Sequence, residues 1–451
     1  MHPEHTAPTS ALTITLPHDT APTGARERID SVDTIRGVAL FGILLMNILS
    51  FGLPGNSYDN PAYAGGATGV NLWTWYIVSV LFEGKMRAMF SMLFGAGVVL
   101  MTSRADARGG SAAIADVWLR RCLWLMGFGL VHCYLVWDGD ILFPYAVCGL
   151  AMYPFRKLAP RALIVLAFAI LATNAPRTWF EVYDQRVLHA DAQLAAQIEK
   201  IKFGKTKLPV TEDLKKAKES WDEKVKKNKP SQEEIQKQIR EQRQGYWQIL
   251  QRRTKSNNEG LPMWLFHGGI ADAAGMMLFG MALMKLGVLT AERSPGFYLW
   301  MIAIGYGIGI PVRAASSWYQ YQHQFDVWSW FPTGYTYDLS RLTIAAGHVG
   351  LVMLICRKDW LRWLTQRLAA VGQMALSNYL THSLVCTTLF YGYGLAWFGW
   401  LERHQLYYVV LSLWVFQLIV SPIWLRYFLF GPFEWAWRSL TYWSPQPMRR
   451  P

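Results

Sequence analysis

Residues 35–53 read IRGVALFGILLMNILSFGL and contain a single charged side chain, Arg36. In the hydrocarbon core of a membrane, only a closed helix satisfies every backbone N–H and C=O group, and about 20 apolar residues are needed to cross it. The stretch therefore predicts a transmembrane helix that begins close to the N-terminus of the chain.

Further apolar stretches recur along the sequence, and together they predict an all-α polytopic membrane protein with about ten transmembrane helices. The predicted spans are 35–53, 73–101, 118–137, 141–155, 161–176, 262–286, 297–315, 336–356, 370–395 and 406–430. The fourth and fifth of these spans are the shortest.

A charged segment interrupts the apolar stretches. Of 75 Lys, Arg, Asp and Glu residues, 31 fall between residues 177 and 258. Ser231 followed three residues later by Glu234 is a helix-capping pattern, so we expect a charged helical insert, either an arm over the membrane domain or a solvated spacer. The predicted domains are a disordered cytoplasmic N-terminus (1–27), an N-terminal membrane half of about five spans (28–176), a periplasmic insert (177–260), a C-terminal membrane half of about five spans (261–431) and a cytoplasmic tail (432–451).

The composition excludes several classes of protein. Of 451 residues, 52% are hydrophobic and 17% are charged, and the charged residues concentrate in the insert, which excludes a soluble globular enzyme. The net charge of +13 is spread beside apolar stretches instead of forming a compact basic module, so no nucleic-acid partner is expected. The five cysteines lack metal-type spacing, and no metal site is expected.

The distribution of Lys and Arg predicts the orientation in the membrane, because cytoplasmic loops are enriched in these residues. The two termini and the loops on the same side of the membrane contain 19 Lys and Arg residues. The short loops on the opposite side contain only one, Arg403. We therefore expect both termini in the cytoplasm of a bacterium and the chain in its inner membrane.

The strongest irregularity inside a predicted span is Glu83-Gly84-Lys85-Met86-Arg87. Charged side chains are costly in lipid and usually have a function there. The motif predicts a broken helix lining a cavity, in which Lys85 or Arg87 binds an anionic ligand and Glu83 is a counter-ion or base. The alternative is a buried ion pair of Glu83 with Lys85 that only holds helices together.

Two histidines are candidates for a general base. His132 stands close to a turn with two carboxylates, Asp138 and Asp140, which could orient a hydroxyl, accept a proton or hold a cation. His382 shares a helix face with Asn378, four residues earlier, which gives this ring an orienting partner. Both features are also compatible with solvated acids and packed core histidines.

Several motifs jointly resemble the YeiB-type family of bacterial membrane proteins, and they cover most of the chain except the insert. They are the run from Arg28 to Asn47, Phe82-Glu83-Gly84-Lys85-Met86-Arg87, Leu93-Phe94-Gly95-Ala96-Gly97, Gly139-Asp140-Ile141-Leu142, Gly372-Gln373-Met374-Ala375-Leu376-Ser377-Asn378-Tyr379 and Gly431-Pro432-Phe433-Glu434-Trp435-Ala436-Trp437-Arg438.

The first of these motifs is also similar to that of heparan-alpha-glucosaminide N-acetyltransferase, which moves acetyl groups from cytosolic acetyl-CoA to a sugar amine across the membrane. The resemblance implies a transmembrane acyltransferase fold in which Asp33 and Arg36 brace the first helix and Asn47 lies in the reaction centre. That enzyme has its catalytic histidine soon after the first span, whereas here no histidine occurs between His18 and His132.

These features lead us to expect an inner-membrane acyl-transfer protein that acts on an outward-facing carbohydrate or small molecule. His132 or His382 would be the base, and acetyl-CoA or another acyl-CoA the co-substrate, with no bound cofactor. The alternatives are a transporter or exporter of a small anionic or acylated solute, and a scaffold whose outer arm binds a partner. A cavity on the cytosolic side would favour the enzyme, and alternating access the transporter. The sequence is compatible with a homo-oligomer.

Overall fold

The computed structural model describes residues 29–107, 113–203, 206, 207, 209–264 and 269–450. This part of the chain forms 17 α-helices and one antiparallel pair of two-residue strands, Lys202–Phe203 and Thr206–Lys207. The predicted all-helical fold is confirmed. The N-terminal segment 1–27, which we expect to be disordered, lies outside the described residues.

Six helices build the N-terminal half. They are α1 (Asp30–Gly52), α2 (Gly69–Leu81), α3 (Lys85–Ala107), α4 (Ala113–Val131), α5 (Leu142–Met152) and α6 (Pro160–Ala172). A π-helical turn, His132–Val136, follows α4. The second predicted span is thus two helices, α2 and α3.

The insert consists of four helices. They are α7 (Asn174–Lys200), α8 (Glu212–Asn228), α9 (Gln232–Gln242) and α10 (Tyr246–Trp264). The predicted capping box before α9 is confirmed, because Glu234 N donates to Ser231 Oγ at 3.2 Å and Ser231 N donates to Glu234 Oε2 at 3.1 Å. Only Thr173 separates α6 from α7, so the insert continues from the membrane half almost without a loop.

Seven helices build the C-terminal half. They are α11 (Ile270–Lys285), α12 (Pro295–Gln322), α13 (Val327–Arg357), α14 (Arg362–Gln373), α15 (Ala375–Phe390), α16 (Arg403–Tyr427) and α17 (Pro432–Tyr442). The ninth predicted span, 370–395, begins inside α14 and is interrupted at Met374, so α15 forms its remaining part.

In the described ranges, six helical segments are long and apolar enough to cross a membrane. They are Asp30–Gly52, Gly69–Arg104, Pro160–Lys200, Pro295–Gln322, Val327–Arg357 and Arg403–Tyr427. The other predicted spans correspond to α4, α5, α11 and α15, which are shorter or carry more charge. The count of ten stays a prediction.

The helix α1 lies at the centre of the bundle, where it packs against α3, α13, α14, α15 and α16. Its side chains Ile35, Leu40 and Ile48 are fully buried. Peripheral helices instead expose large apolar side chains, such as Trp300 on α12 and Phe416 on α16. Broad apolar surfaces of this kind are unfavourable in water and suit helices that face lipid.

The loops gather at the two ends of the bundle. The insert packs on a loop predicted outside, where Asn228 Nδ2 donates to Phe325 O at 2.8 Å, and on the π-helical turn after α4, where Asn257 Nδ2 donates to Cys133 O at 2.9 Å. At the end rich in Lys and Arg, the start of α1 meets the segment after α11, and the α17 side chain Trp437 donates to Arg121 O at 2.9 Å. The insert and the basic loops are therefore on opposite ends.

The helices α3 and α11 cross at backbone contact through two glycines. A Cβ atom added at Gly95 would overlap the carbonyl oxygen of Met277, and one added at Gly280 would overlap that of Met92. Glycine permits this approach because it has no Cβ atom. By contrast, nothing lies within 4 Å of a Cβ atom added at Gly97, on the same helix as Gly95.

We expect Gly95→Ala to lower the free energy of unfolding by about 1–3 kcal/mol, because overpacking forces α3 and α11 apart. Gly97→Ala should leave stability unchanged or raise it slightly, since alanine is the better helix former and the site is open. Thermal unfolding of both variants in detergent measures the difference. Equal stability of the two variants would contradict the close crossing.

Candidate functional site

The structure confirms the predicted break in the second span. The helix α2 ends at Leu81, Gly84 has a φ of +74°, and α3 begins at Lys85. Glycine adopts positive φ without steric cost. Two of the carbonyl groups near this break are bonded by side chains: Lys85 Nζ donates to Ser79 O at 3.0 Å, and His348 Nε2 donates to Leu81 O at 2.8 Å.

The alternative interpretation of this motif, an ion pair that joins Glu83 to Lys85, is wrong, because the two groups have other direct partners. The cation beside Glu83 is Arg313, whose Nη2 lies 3.5 Å from Glu83 Oε2, while Tyr337 OH donates to Glu83 Oε1 at 3.0 Å. Lys85 occupies the first position of α3, and helical side chains tilt toward the N-terminus of their helix. Its ammonium group therefore reaches back to the end of α2 and not sideways to Glu83.

A second group of ion pairs joins α3, α11 and α13 near the break. Arg341 Nη2 lies 2.5 Å from Asp272 Oδ1 and 2.7 Å from Asp338 Oδ1, and Arg87 Nη2 lies 3.8 Å from Asp272 Oδ2. We call Glu83, Lys85, Arg87, Asp272, Arg313 and Arg341 the break cluster. Intramembrane charges need such partners because desolvation is costly.

A second polar group lies where α4 ends. His132 Nδ1 is 2.8 Å from Asp140 Oδ1, and His132 Nε2 is 2.8 Å from Ser383 Oγ. The His132 and Asp140 side chains are each 1% exposed, and Ser383 is equally buried. A carboxylate that accepts from Nδ1–H leaves Nε2 free to accept a proton from a hydroxyl, as in Ser–His–Asp catalysis. The arrangement can therefore activate a hydroxyl group.

The two carboxylates of the turn have different surroundings. Asp140 Oδ2 accepts a hydrogen bond from Phe143 N at 2.7 Å, so one oxygen caps the start of α5 while the other holds His132. Asp138 is exposed. The turn thus brings Asp140, and not Asp138, to the candidate base.

The other candidate base, His382, has a neutral partner. Its Nε2 lies 2.9 Å from Gln417 Oε1, and the Asn378 side chain instead donates to Val371 O and Ser421 Oγ, both at 3.1 Å. The expected orienting contact with Asn378 is therefore wrong. Asn378 begins the second turn of α15 and bonds the end of the preceding helix, α14, so its amide is directed away from the ring.

A cavity of about 240 Å³ lies at the end of the bundle where α1 begins. Its wall contains more cationic than anionic side chains, namely Arg36, Arg104, Arg121, Arg438, Asp33 and Glu434. The Arg121 guanidinium lies 3.7 Å from the centroid of the Trp437 ring, and Arg36 Nη1 lies 2.5 Å from Asp33 Oδ1. The excess of positive charge in a concave wall attracts anionic ligands. We call this space the inner cavity.

The helix α15 is fixed at its start by an acid from α17. Glu434 Oε1 accepts hydrogen bonds from Leu376 N at 2.6 Å and Ser377 N at 3.0 Å. A carboxylate at a helix N-terminus satisfies free N–H groups and interacts favourably with the helix dipole. This cap positions Tyr379 and Ser383, which lie one turn apart on α15.

Tyr379 separates the inner cavity from His132. It lines the cavity, its ring centroid lies 5.2 Å from that of His132, and its OH accepts from Ile141 N at 3.3 Å. Asn47 is half-buried on α1 and lines neither this cavity nor the smaller one near Glu83.

The structure thus places most of the sequence candidates in three groups: the break cluster, the Asp140–His132 pair and the inner cavity with Asp33 and Arg36. Four candidates belong to none of these groups, namely Asn47, Asp138, Asn378 and His382. Sequence reasoning missed Ser383, Arg313 and Arg341. The two arginines lie inside predicted spans, where any charge is a functional candidate, so that signal was available. In the described ranges, no group of three or more His, Cys, Asp or Glu side chains is arranged to hold a metal ion.

Comparison with known proteins identifies relatives over nearly the whole chain. Residues 283–444 match the family described as "Protein of unknown function (DUF418)". The "Uncharacterized protein YeiB" of Escherichia coli (strain K12) is 31% identical over 92% of this chain and 96% of its own length. The "Uncharacterized protein YxaH" of Bacillus subtilis (strain 168) is 29% identical over 95% of this chain and 98% of its own length.

We expect Asp140→Ala to lower the free energy of unfolding by about 2–4 kcal/mol, because it leaves His132 Nδ1 and Phe143 N buried without partners. The matched variant Asp138→Ala, two residues earlier at an exposed position, should change it by about 0.5 kcal/mol or less. Denaturant unfolding in detergent compares the two. A neutral Asp140→Ala would mean that water replaces the carboxylate.

Proposed function

The chain belongs to the YeiB family, and we propose that it transfers an acyl group from a cytosolic acyl-CoA to a hydroxyl or amine on the outer side of the inner membrane. One observation carries this proposal: the Ser383–His132–Asp140 group lies directly behind Tyr379, which lines the arginine-rich inner cavity. An anion site next to an activated hydroxyl is what transfer from a negatively charged acyl donor requires.

The inner cavity suits the narrow end of such a donor. A volume of about 240 Å³ accommodates an acyl thioester arm but not a whole coenzyme, so the nucleotide would remain outside. Arg104, Arg121 and Arg438 would then bind the phosphate groups at the cavity wall, because guanidinium groups form charge-assisted hydrogen bonds with phosphate oxygens.

The reaction we propose has two steps. With Tyr379 turned aside, Ser383 Oγ attacks the thioester carbonyl while His132 Nε2 takes its proton; the C–S bond breaks, and His132 returns the proton to the leaving thiolate. The acceptor then attacks the seryl ester, giving its proton to His132, and Ser383 Oγ leaves and recovers that proton. Asp140 holds the ring and stabilises the imidazolium in both steps.

A transporter is the second candidate, and the break cluster favours it. Interrupted helices with paired charges in the membrane interior are typical of transporter binding sites. In that case Arg87, whose side chain is 51% exposed, would bind a small anionic or acylated solute, and no bond would be made or broken.

The proposed topology has ten crossings with both termini in the cytoplasm. The helices α4, α5, α11 and α15 would complete the spans within the bundle, where neighbouring helices shield their polar groups from lipid. The inner cavity would then face the cytoplasm, where acyl-CoA is made, and the insert would face the periplasm.

We expect His132→Ala to bind acetyl-CoA or a longer acyl-CoA normally but to release CoA thiol at least about 100-fold more slowly, because a general base contributes about 10²–10⁴-fold. Calorimetry measures binding, and a thiol reagent measures release. Mass spectrometry of the wild type should find one acyl group on Ser383. His404→Gln, at the edge of the insert side, is the control that should behave as wild type.

Two results would overturn parts of this proposal. If His382→Ala abolishes release and His132→Ala does not, the base is misassigned but acyl transfer stands. If no acyl-CoA binds, while vesicles containing the protein accumulate a solute in a Glu83-dependent manner, the protein is a transporter.

We expect a cysteine at Ser231 to react with an impermeant thiol reagent added outside intact cells, and a cysteine at Arg362 to react only after the cells are opened. Both substitutions would be made in a Cys356→Ser background, because the other four native cysteines are buried. The reverse pattern of labelling would invert the orientation.

A further inference from the structure

The wall of the inner cavity follows one side of α3. Seven residues of this helix line the cavity at helical spacing, namely Phe90, Leu93, Phe94, Gly97, Leu100, Met101 and Arg104. Because a helix rises ~1.5 Å per residue, the Cα atoms of the first and last of them are about 21 Å apart. A volume of about 240 Å³ spread over this length makes the inner cavity a narrow tunnel.

One end of the tunnel is aromatic. Phe90, Tyr145 and Tyr379 line it, and the rings of Phe90 and Tyr145 are stacked with their centroids 5.9 Å apart. The two tyrosine hydroxyls are hydrogen-bonded to backbone groups: Tyr145 OH donates to Arg87 O at 3.1 Å, and Tyr379 OH accepts from Ile141 N at 3.3 Å. This end, which we call the aromatic end, therefore offers mainly ring surface to a ligand.

The opposite end is cationic. Arg121 stacks on the Trp437 ring, and Arg438 is the next residue of α17. Met101, one turn before Arg104 on α3, packs on a small apolar cluster formed by α4 and α17. The wall arginines of α3, α4 and α17 therefore lie at the same end, which we call the arginine end.

Charge and shape together define the occupant. The two acids of the wall already have partners, because Asp33 is paired with Arg36 and Glu434 accepts the N–H groups at the start of α15. The excess of arginines attracts an anionic group to one end, and burial against the aromatic end favours an apolar chain. A tunnel this narrow takes one chain, which excludes a phospholipid with two.

We propose that the inner cavity binds a single-chain amphiphilic anion, with its head group at the arginine end and its alkyl chain along α3 toward Tyr379. An extended chain of twelve carbons is about 13 Å long and fits between the two ends. The ligand would occupy the space that an acyl thioester arm needs, so it would inhibit the proposed transfer. Its binding does not depend on that function.

The test is photo-crosslinking of the full-length protein, in phosphatidylcholine nanodiscs, with dodecanoate that carries a diazirine at its chain end. Mass spectrometry should find the adduct at the aromatic end. Dodecanoate and dodecyl phosphate should prevent it, and the more potent of the two identifies the head group as that of a fatty acid or a single-chain phospholipid. Dodecanol should compete at least about tenfold more weakly, because it lacks the charge.

Two results would overturn the proposal: adducts confined to the exposed surfaces of α12 and α16, or equal competition by dodecanol. Binding of dodecanoate by a protein that binds no acyl-CoA would leave this proposal standing and remove acyl transfer.

Gly97 provides a matched test of the tunnel, because it lies midway along the α3 wall and has nothing within 4 Å of an added Cβ atom. Gly97→Leu should fill the tunnel and abolish the adduct at the aromatic end. Gly127→Leu, at an equally open helical glycine outside the cavity wall, is the control and should retain it. A wild-type adduct yield in Gly97→Leu would contradict the site, and the wild-type mapping remains decisive if this variant does not fold.

Discussion

A helix that stops inside a membrane leaves carbonyl groups that lipid cannot hydrogen-bond, and this constraint organises the break at Gly84. Side chains of other helices supply the missing donors: Lys85 and Arg313 reach Ser79 O, and His348 reaches Leu81 O. Two of these donors, Lys85 and Arg313, are positively charged, and the carboxylate of Glu83 lies beside Arg313. The break cluster therefore joins α2, α3, α11, α12 and α13 around one backbone irregularity.

The helix α15 connects the two ends of the molecule. At its start, Glu434 from α17 caps the free N–H groups at the basic end of the bundle. One turn further, Tyr379 closes the inner cavity, and one turn beyond that, Ser383 meets His132. A single helix thus links the arginine-rich wall of the inner cavity to the Ser383 hydroxyl, which is the geometry that the proposed acyl transfer uses.

The insert shields the turn that contains the candidate base. Asn257 on α10 donates to Cys133 O, the carbonyl that follows His132, and Tyr246 OH donates to Leu135 O. These bonds satisfy carbonyl groups of the π-helical turn and cover it from the insert side. In the proposed function, an acceptor that approaches this turn from the insert side would therefore have to displace α10.

The sequence by itself determined the helical class, the break at Gly84, the charged helical insert and the grouping of basic loops, because each follows from local hydrophobicity, glycine conformation or charge. Only the tertiary structure decided the partners. It paired Glu83 with Arg313 and not Lys85, gave His382 a glutamine, and brought Ser383 to His132 across 251 positions. Hydropathy fixes which segments are helices, but side-chain contacts depend on how those helices rotate and cross, and that is set by packing.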